Sequence, residues 1–171
     1  MNGITVKATG VVSITENRLN QFLADTISGD TAISCECEDN NCLRLIIKSK
    51  AHGTINLKLR LIEAKHDHTV STVKFQLLER RLEGNPLKAM LLAGMPDSAL
   101  NFLLKLFALP QTITVENTGD IYTVELRAWL GQSTLAETRI MGARAMDCIK
   151  IGGVNVEDGG ISVQGRFDFA G

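Results

Sequence analysis

The sequence predicts an α+β fold in which a strongly curved antiparallel β-sheet meander wraps around a long apolar helical segment that is kinked or broken. Alternating apolar and polar residues recur along most of the 171-residue chain, as in strands with one buried face. Short polar turns separate these strands, which is typical of antiparallel hairpins. Residues 85–110 are instead apolar on most sides, which predicts a helix buried on several faces. We interpret residues 1–171 as a single domain.

Composition and charge argue against nucleic-acid binding and against a transmembrane segment. The formal net charge is −1 and the basic residues are spread along the chain, so an extended nucleic-acid surface is not expected. Lys88, Pro96 and Lys105 interrupt the apolar segment, so no transmembrane segment is predicted. The first residues lack a basic region followed by an apolar run. We therefore expect a cytoplasmic protein, or an exported one if a leader has been removed.

The first elements are a strand and a helix. Ile4, Val6 and Ala8 alternate with polar residues, which predicts a strand. Ser13 and Glu16 have the spacing of a capping box, which predicts that a helix of about three turns begins there. The apolar face of this helix is predicted to contain Leu19, Phe22, Leu23 and Ile27.

A meander of strands is predicted next. Residues 32–37 and 42–50 flank a polar turn and predict a hairpin, and two further alternating strands follow. The inward side chains of those two strands are Ile55, Leu57, Leu59, Leu61, Val73, Phe75 and Leu77.

The apolar segment begins at Asn85, a good N-cap, followed by Pro86 at the first helical position. Pro96 predicts a kink or a break. Short strands are expected near residues 113–115 and 121–124, then a helix within 126–136. The turn at 157–160 contains Asp-Gly-Gly and predicts a closing hairpin.

The cysteines and histidines are the residues best suited to chemistry. Cys35 and Cys37 share one face of a strand, and Cys42 follows the turn. We interpret them as thiols without metal; the alternatives are a zinc site completed by Cys148 or a histidine, and a redox pair of Cys37 with Cys42. His66 and His68 are interpreted as part of a polar turn between strands.

The sequence contains no motif of a known catalytic type. It has no G-x-S-x-G elbow, Walker-type loop or dinucleotide fingerprint. We therefore expect no catalytic residues, no metal and no cofactor. Gly152 and Gly153 are interpreted as part of a turn or a bulge.

Two segments carry a family resemblance. Residues 14–23, with Thr15-Glu16 and Leu19-Asn20, resemble the T-E-x-x-L-N-x-x-L opening of small bacterial proteins in the tubular lipid-binding (TULIP) group. Residues 154–163 resemble the closing hairpin of the same proteins, and the order of elements is similar along nearly the whole chain. The resemblance implies a highly curved sheet wrapped around a long helix, with an elongated apolar cleft for a lipid.

The predicted function is therefore non-enzymatic binding of a lipid or another elongated apolar ligand between the helical segment and the inner face of the sheet. The alternative is a structural or interaction protein whose apolar helices mediate self-association, as in a homo-oligomer, or partner docking. The predicted cleft residues are Leu57, Leu59, Phe75, Leu77, Leu92, Leu103, Leu106 and Phe107.

Overall fold

The computed structural model describes residues 6–26, 29–50, 53–84, 86–94, 112–140 and 142–169, and it has the predicted α+β composition with a large antiparallel sheet. In these residues the strands are β1 (Val6–Thr15), β2 (Thr31–Glu38), β3 (Cys42–Ser49), β4 (Gly53–His66), β5 (Ser71–Glu83), β6 (Thr114–Thr118), β7 (Ile121–Glu125), β8 (Arg139–Ile140), β9 (Ala143–Arg144), β10 (Ile149–Glu157) and β11 (Gly160–Phe169).

The helices are short. The described ones are α1 (Glu16–Thr26), α2 (Pro86–Gly94), α3 (Arg127–Leu130), α4 (Thr134–Glu137) and α5 (Ala145–Cys148). Helix α2 confirms the predicted start at Pro86, whereas most of the predicted long helix after Gly94 lies outside the described residues. Among the described helices, none combines the length and hydrophobicity needed to cross a membrane.

The main sheet branches at β4. Its strand order is β1-β11-β10-β4-β5-β7-β6, and β3 joins the same edge of β4 that β10 uses further along. The first half of β4 pairs with β3, from Gly53 to Arg60, and β2 continues that side as a second outer strand. The last residue of β4, His66, pairs with Ile151 of β10. The predicted meander is therefore confirmed for β2 to β5.

Asn41 links the two branches where the edge of β4 changes partner. Its carbonyl accepts from the Leu61 amide at 2.7 Å, and its own amide donates to the Val156 carbonyl at 3.2 Å. Its side-chain oxygen accepts from the Val156 amide at 2.9 Å. Asn41 has a φ of 58°, a conformation that asparagine tolerates better than most residues. The turn between β2 and β3 thus also serves as a bridge between β4 and β10.

The predicted capping box at Ser13 is wrong. Strand β1 pairs with β11 at every position from Val6 to Thr15, so Ser13 is extended and lies opposite Ser162. Helix α1 begins only at Glu16, whose amide donates to the Gly159 carbonyl at 2.9 Å. The long pairing with β11 determines the backbone conformation here, and the local capping signal does not.

Helix α1 covers the outer edge of β2 with its side chains. The Asn20 amide group donates to the Cys35 carbonyl at 2.9 Å and accepts from the Cys35 amide at 2.7 Å, while the Glu16 carboxylate accepts from the Cys37 amide at 2.7 Å. Four helical residues span about 6 Å, close to the rise of two strand residues. Glu16 and Asn20 therefore match the spacing of Cys37 and Cys35 and close an otherwise open strand edge.

Both predicted hairpins are confirmed, β2–β3 and β10–β11. The second contains a bulge between Ile151 and Gly153, as the glycine pair predicted, and Gly159 in its turn has a φ of 81°. The predicted strands near 113–115 and 121–124 correspond to β6 and β7, and the region predicted as helical contains α3 and α4.

Candidate functional site: an apolar cleft on one face of the sheet

The inward face of the sheet contains a recess of about 230 Å³ that is walled by hydrocarbon. Of the predicted cleft residues, Leu57, Leu59, Phe75 and Leu77 all line it. Leu57 is 1% exposed, so it forms the floor, whereas Phe75 is only half-buried and stands in the wall. The alternation that assigned these side chains to one face is therefore confirmed by their placement.

The sheet curls strongly around this recess. Ile33 on β2 and Val115 on β6 line the same recess and belong to one buried cluster, although five strand spacings separate their strands in the sheet order. In a flat sheet that separation would be about 24 Å. The two outer strands are therefore brought towards each other by the curvature of the sheet.

A second and larger recess, of about 520 Å³, lies on the same face beside the first. It is walled by side chains of the other branch, including Val154, Ile161 and Val163, together with Val73 of β5. The two recesses share three lining residues, which are Leu43, Phe75 and Leu126. We call the two together the apolar cleft, because their walls are continuous.

An aromatic pair joins two helices beside the larger recess. Phe22 of α1 and Trp129 of α3 meet edge to face, with ring centroids 5.9 Å apart and an interplanar angle of 80°. Phe22 lines the larger recess while remaining 52% exposed. Such edge-to-face pairs are favourable, so this contact holds α1 against α3 at the rim of the cleft.

His66 was predicted to lie on a polar turn, and that prediction is wrong. It is 6% exposed at the end of β4, and its Nδ1 is 3.1 Å from the Ser71 hydroxyl while its Nε2 is 2.8 Å from the Met146 carbonyl. A carbonyl can only accept, so Nε2 donates to Met146, and Nδ1 lies within hydrogen-bond distance of the Ser71 hydroxyl. Both residues line the larger recess, next to the position where β4 pairs with β10.

This buried pair is better explained as a structural contact than as a catalytic dyad. Ser71 is 3% exposed, and the hydrogen bond between Ser71 and His66 joins residues that are direct partners in the β4–β5 ladder. Both ring nitrogens of His66 have partners within the protein. The turn that follows is held by Asp67, whose pKa is lowered because its carboxylate accepts hydrogen bonds from Thr69 and Val70.

All four cysteines are buried, and the three of the β2–β3 hairpin are divided between its two faces. Cys37 pairs with Leu43 and Cys42 pairs with Glu38, so Cys37 and Cys42 point to opposite faces of the hairpin. The alternative of a redox pair between them is therefore wrong. No set of three or more candidate metal ligands occurs within the described ranges.

The Cys35 thiol is a poor nucleophile in this environment. Burial, the neighbouring Cys37 and the Glu16 carboxylate together raise its pKa to about 12. Burial and Glu16 also raise the pKa of Cys37. Because the thiolate is the reactive form, both residues act as small apolar core side chains.

The other half of the predicted cleft is not described. Leu103, Leu106 and Phe107 lie outside the described residues, and the side chain of Leu92 does too, although its backbone belongs to α2. The sequence also missed part of the wall, such as Leu43, Val154 and Val163. Their alternation was visible, but only the order of the strands places them beside β4 and β5.

Comparisons with family models, curated proteins and solved structures gave no match to this chain. The resemblance to the tubular lipid-binding group stays a prediction.

Proposed function

We propose that this protein binds an elongated apolar ligand, such as the acyl chain of a lipid, in the apolar cleft and catalyses no reaction on it. The observation that carries the proposal is the continuous hydrocarbon lining of two adjoining recesses of about 230 and 520 Å³. The larger one is within the size range of small-molecule sites, about 300–1,000 Å³.

The energetics favour hydrocarbon over water in this cleft. Water in an apolar recess has few hydrogen-bond partners, whereas each methylene transferred from water gains about 0.8 kcal/mol. A chain that buries about ten methylenes gains about 8 kcal/mol before the entropy of association is subtracted. A long chain is therefore the ligand that the shape and the lining fit best.

The resemblance to the tubular lipid-binding group supports the same function. The predicted cleft residues Leu103, Leu106 and Phe107 lie outside the described residues and stay predictions. The described wall contributes Leu59 and Phe75.

Native mass spectrometry of freshly purified protein, followed by organic extraction, tests the proposal directly. We expect a bound species of lipid mass that solvent releases. Protein that carries no such species and does not bind the neutral fluorescent probe N-phenyl-1-naphthylamine would refute it.

A pair of variants locates the bound molecule. Phe75→Ser places a hydroxyl in the wall shared by both recesses and should weaken probe binding about tenfold, since a large apolar contact is lost. Lys74→Ser changes the preceding residue, which points to the opposite face and pairs with Glu63 at 2.8 Å. This control should bind the probe like the wild type.

The second candidate function is self-association through α2. Leu87 and Met90 are three residues apart on this helix and are 74% and 79% exposed. An exposed apolar pair of this kind suits contact with a second copy of the chain. Light scattering over a range of concentrations tests it: a dimer that Met90→Glu converts to monomer would favour this function, and a monomer throughout would exclude it.

A further inference from the structure

Strands β4 and β10 form a register pair at one position only, and we call the unpaired stretch between them the window. The strands pair at His66 and Ile151, and Asn41 bridges them again at Leu61 and Val156. Between these two anchors the bulge between Ile151 and Gly153 turns β10 away from a regular ladder.

A polar recess of about 700 Å³ lies against this window. It shares four lining residues with the larger apolar recess, namely Ala64, Lys65, His66 and Ile151. Its remaining walls come from the opposite face of the sheet, because Gln164 and Arg166 alternate with the inward Ile161 and Val163. The polar outer recess and the apolar cleft therefore lie on opposite faces of the sheet, on either side of the window.

Among the described residues that line the outer recess, Lys65, Lys150 and Arg166 are cationic, and Glu63 and Asp67 are anionic. Lys150 and Arg166 face each other across β10 and β11, and both contact the same oxygen of Asp168, at 2.7 and 3.3 Å. One carboxylate thus serves two cations. Lys65 is a third cation in the lining, and its ammonium is 4.0 Å from the Asp67 carboxylate, the outer limit for an ion pair.

The acidic groups of the recess are already engaged. Asp67 accepts hydrogen bonds from the Thr69 amide and hydroxyl and from the Val70 amide. The Glu63 carboxylate is 2.8 Å from the Lys74 ammonium, and this contact lowers the pKa of Glu63.

From this arrangement we propose that the ligand is an amphipathic anion, whose hydrocarbon chain lies in the apolar cleft and whose anionic head lies in the outer recess between Lys65, Lys150 and Arg166. This inference rests on the proposed function and deepens it. The apolar cleft offers its occupant almost only hydrocarbon, so a charged head group needs a polar place next to it. The four shared lining residues place the two recesses next to each other.

Gly152 gives a clean test of the head-group site. It lines the outer recess, and a Cβ added to it would meet no atom within 4 Å. Gly152→Glu introduces one negative charge there, and Gly152→Gln introduces nearly the same volume without the charge. Both variants should unfold at nearly the wild-type temperature, which circular dichroism verifies before binding is measured.

The binding experiment uses hexadecanoic acid and hexadecan-1-ol, each displacing N-phenyl-1-naphthylamine at low ionic strength and at a pH where the acid is ionised. The wild type should bind the acid about tenfold more tightly than the alcohol, and Gly152→Glu should remove about that factor for the acid alone. Gly152→Gln controls for the added volume and should change the affinities for the acid and the alcohol by the same factor.

The other outcomes separate the two proposals. Equal affinity of the wild type for acid and alcohol, with no effect specific to Gly152→Glu, would overturn the anionic head group and leave apolar binding intact. Equal weakening by both variants would also overturn it, since volume and not charge would then matter. Failure of the wild type to bind the probe, the acid and the alcohol would refute the proposed function itself.

Discussion

The two halves of one edge of β4 are held in different ways. Along the first half, β4 pairs with β3 at eight successive positions, from Ser49↔Gly53 to Cys42↔Arg60. Along the second half it pairs with β10 at a single position, His66↔Ile151, and the Asn41 bridge supplies the other anchor. The first half is a continuous ladder of backbone hydrogen bonds, whereas the second half is held at two separate anchors, one of which includes a hydrogen bond from the Asn41 side chain. Substitutions should distinguish the two.

The largest effect on stability is expected in the half of β4 that pairs with β3, because its inward side chains lie in the hydrophobic core. Leu57→Asp places a carboxylate at a position that is 1% exposed, and the described residues of its cluster include no cationic side chain. Such a change costs more than about 4 kcal/mol, enough to unfold many domains. Urea unfolding followed by circular dichroism measures it.

Arg60→Gln is the control for Leu57→Asp. Arg60 is exposed on the other face of the same strand, opposite Cys42, and its replacement should change stability by less than about 0.5 kcal/mol. Wild-type-like unfolding of Leu57→Asp would mean that the inward face is assigned incorrectly.

A smaller effect on stability is expected at β2, the outermost strand on the β3 side of β4. Asn20→Ala removes both hydrogen bonds to the backbone of Cys35 and should destabilise the protein by about 2 kcal/mol, since a buried amide and carbonyl lose their partners. The neighbouring exposed residue Gln21 provides the control, because Gln21→Ala should be nearly neutral. Hydrogen exchange at the Cys35 amide should accelerate in Asn20→Ala alone.

At the junction with β10, the Asn41 side chain accepts one hydrogen bond, and the next variant removes it. Asn41→Gly keeps the positive φ available and removes only the bond to the Val156 amide, so a loss of about 1 kcal/mol is expected. Asn40→Gly changes the adjacent exposed residue, whose φ is 60°, and serves as the control. Equal stability of the two variants would contradict a specific role for the Asn41 side chain.

A pH dependence is also expected on the ladder side. The pKa of Cys35 is raised to about 12 in the folded protein, whereas an unfolded cysteine titrates near about 8.5. The contribution of this thiol is therefore fully present below about pH 8.5 and is lost as the pH rises towards the folded value. The stability of Cys35→Ala should fall less steeply than that of the wild type between these limits. Parallel declines in chemical denaturation series would contradict this.

Periodicity was sufficient to predict the strands and their inward faces. The alternation at Ile55, Leu57 and Leu59 needed no knowledge of neighbouring strands, because period-two burial is a property of a single strand. Turn residues were equally local, and they placed both hairpins correctly.

Features that join distant segments were not predictable in this way. The burial of His66 depends on Met146, and the role of Asn41 depends on Leu61 and Val156, all far away in sequence. The failed capping box at Ser13 has the same cause, since the chain there is fixed by β11. The cleft was half predictable: its inward residues on β4 and β5 followed from alternation, but the contribution of β10 and β11 required the strand order.

The pairing of β1 with β11 also has a consequence for biosynthesis. Residues 6–15 find their partners among residues 160–169, so β1 stays unpaired until nearly all of the described residues that follow it have been synthesised. During this interval its alternating apolar residues are open to association with other nascent chains. Helix α1 and the β2–β3 hairpin need only nearby residues and can form early. We therefore expect closure of the sheet at β1 to come late in folding, because β1 and its partner β11 lie at opposite ends of the described chain.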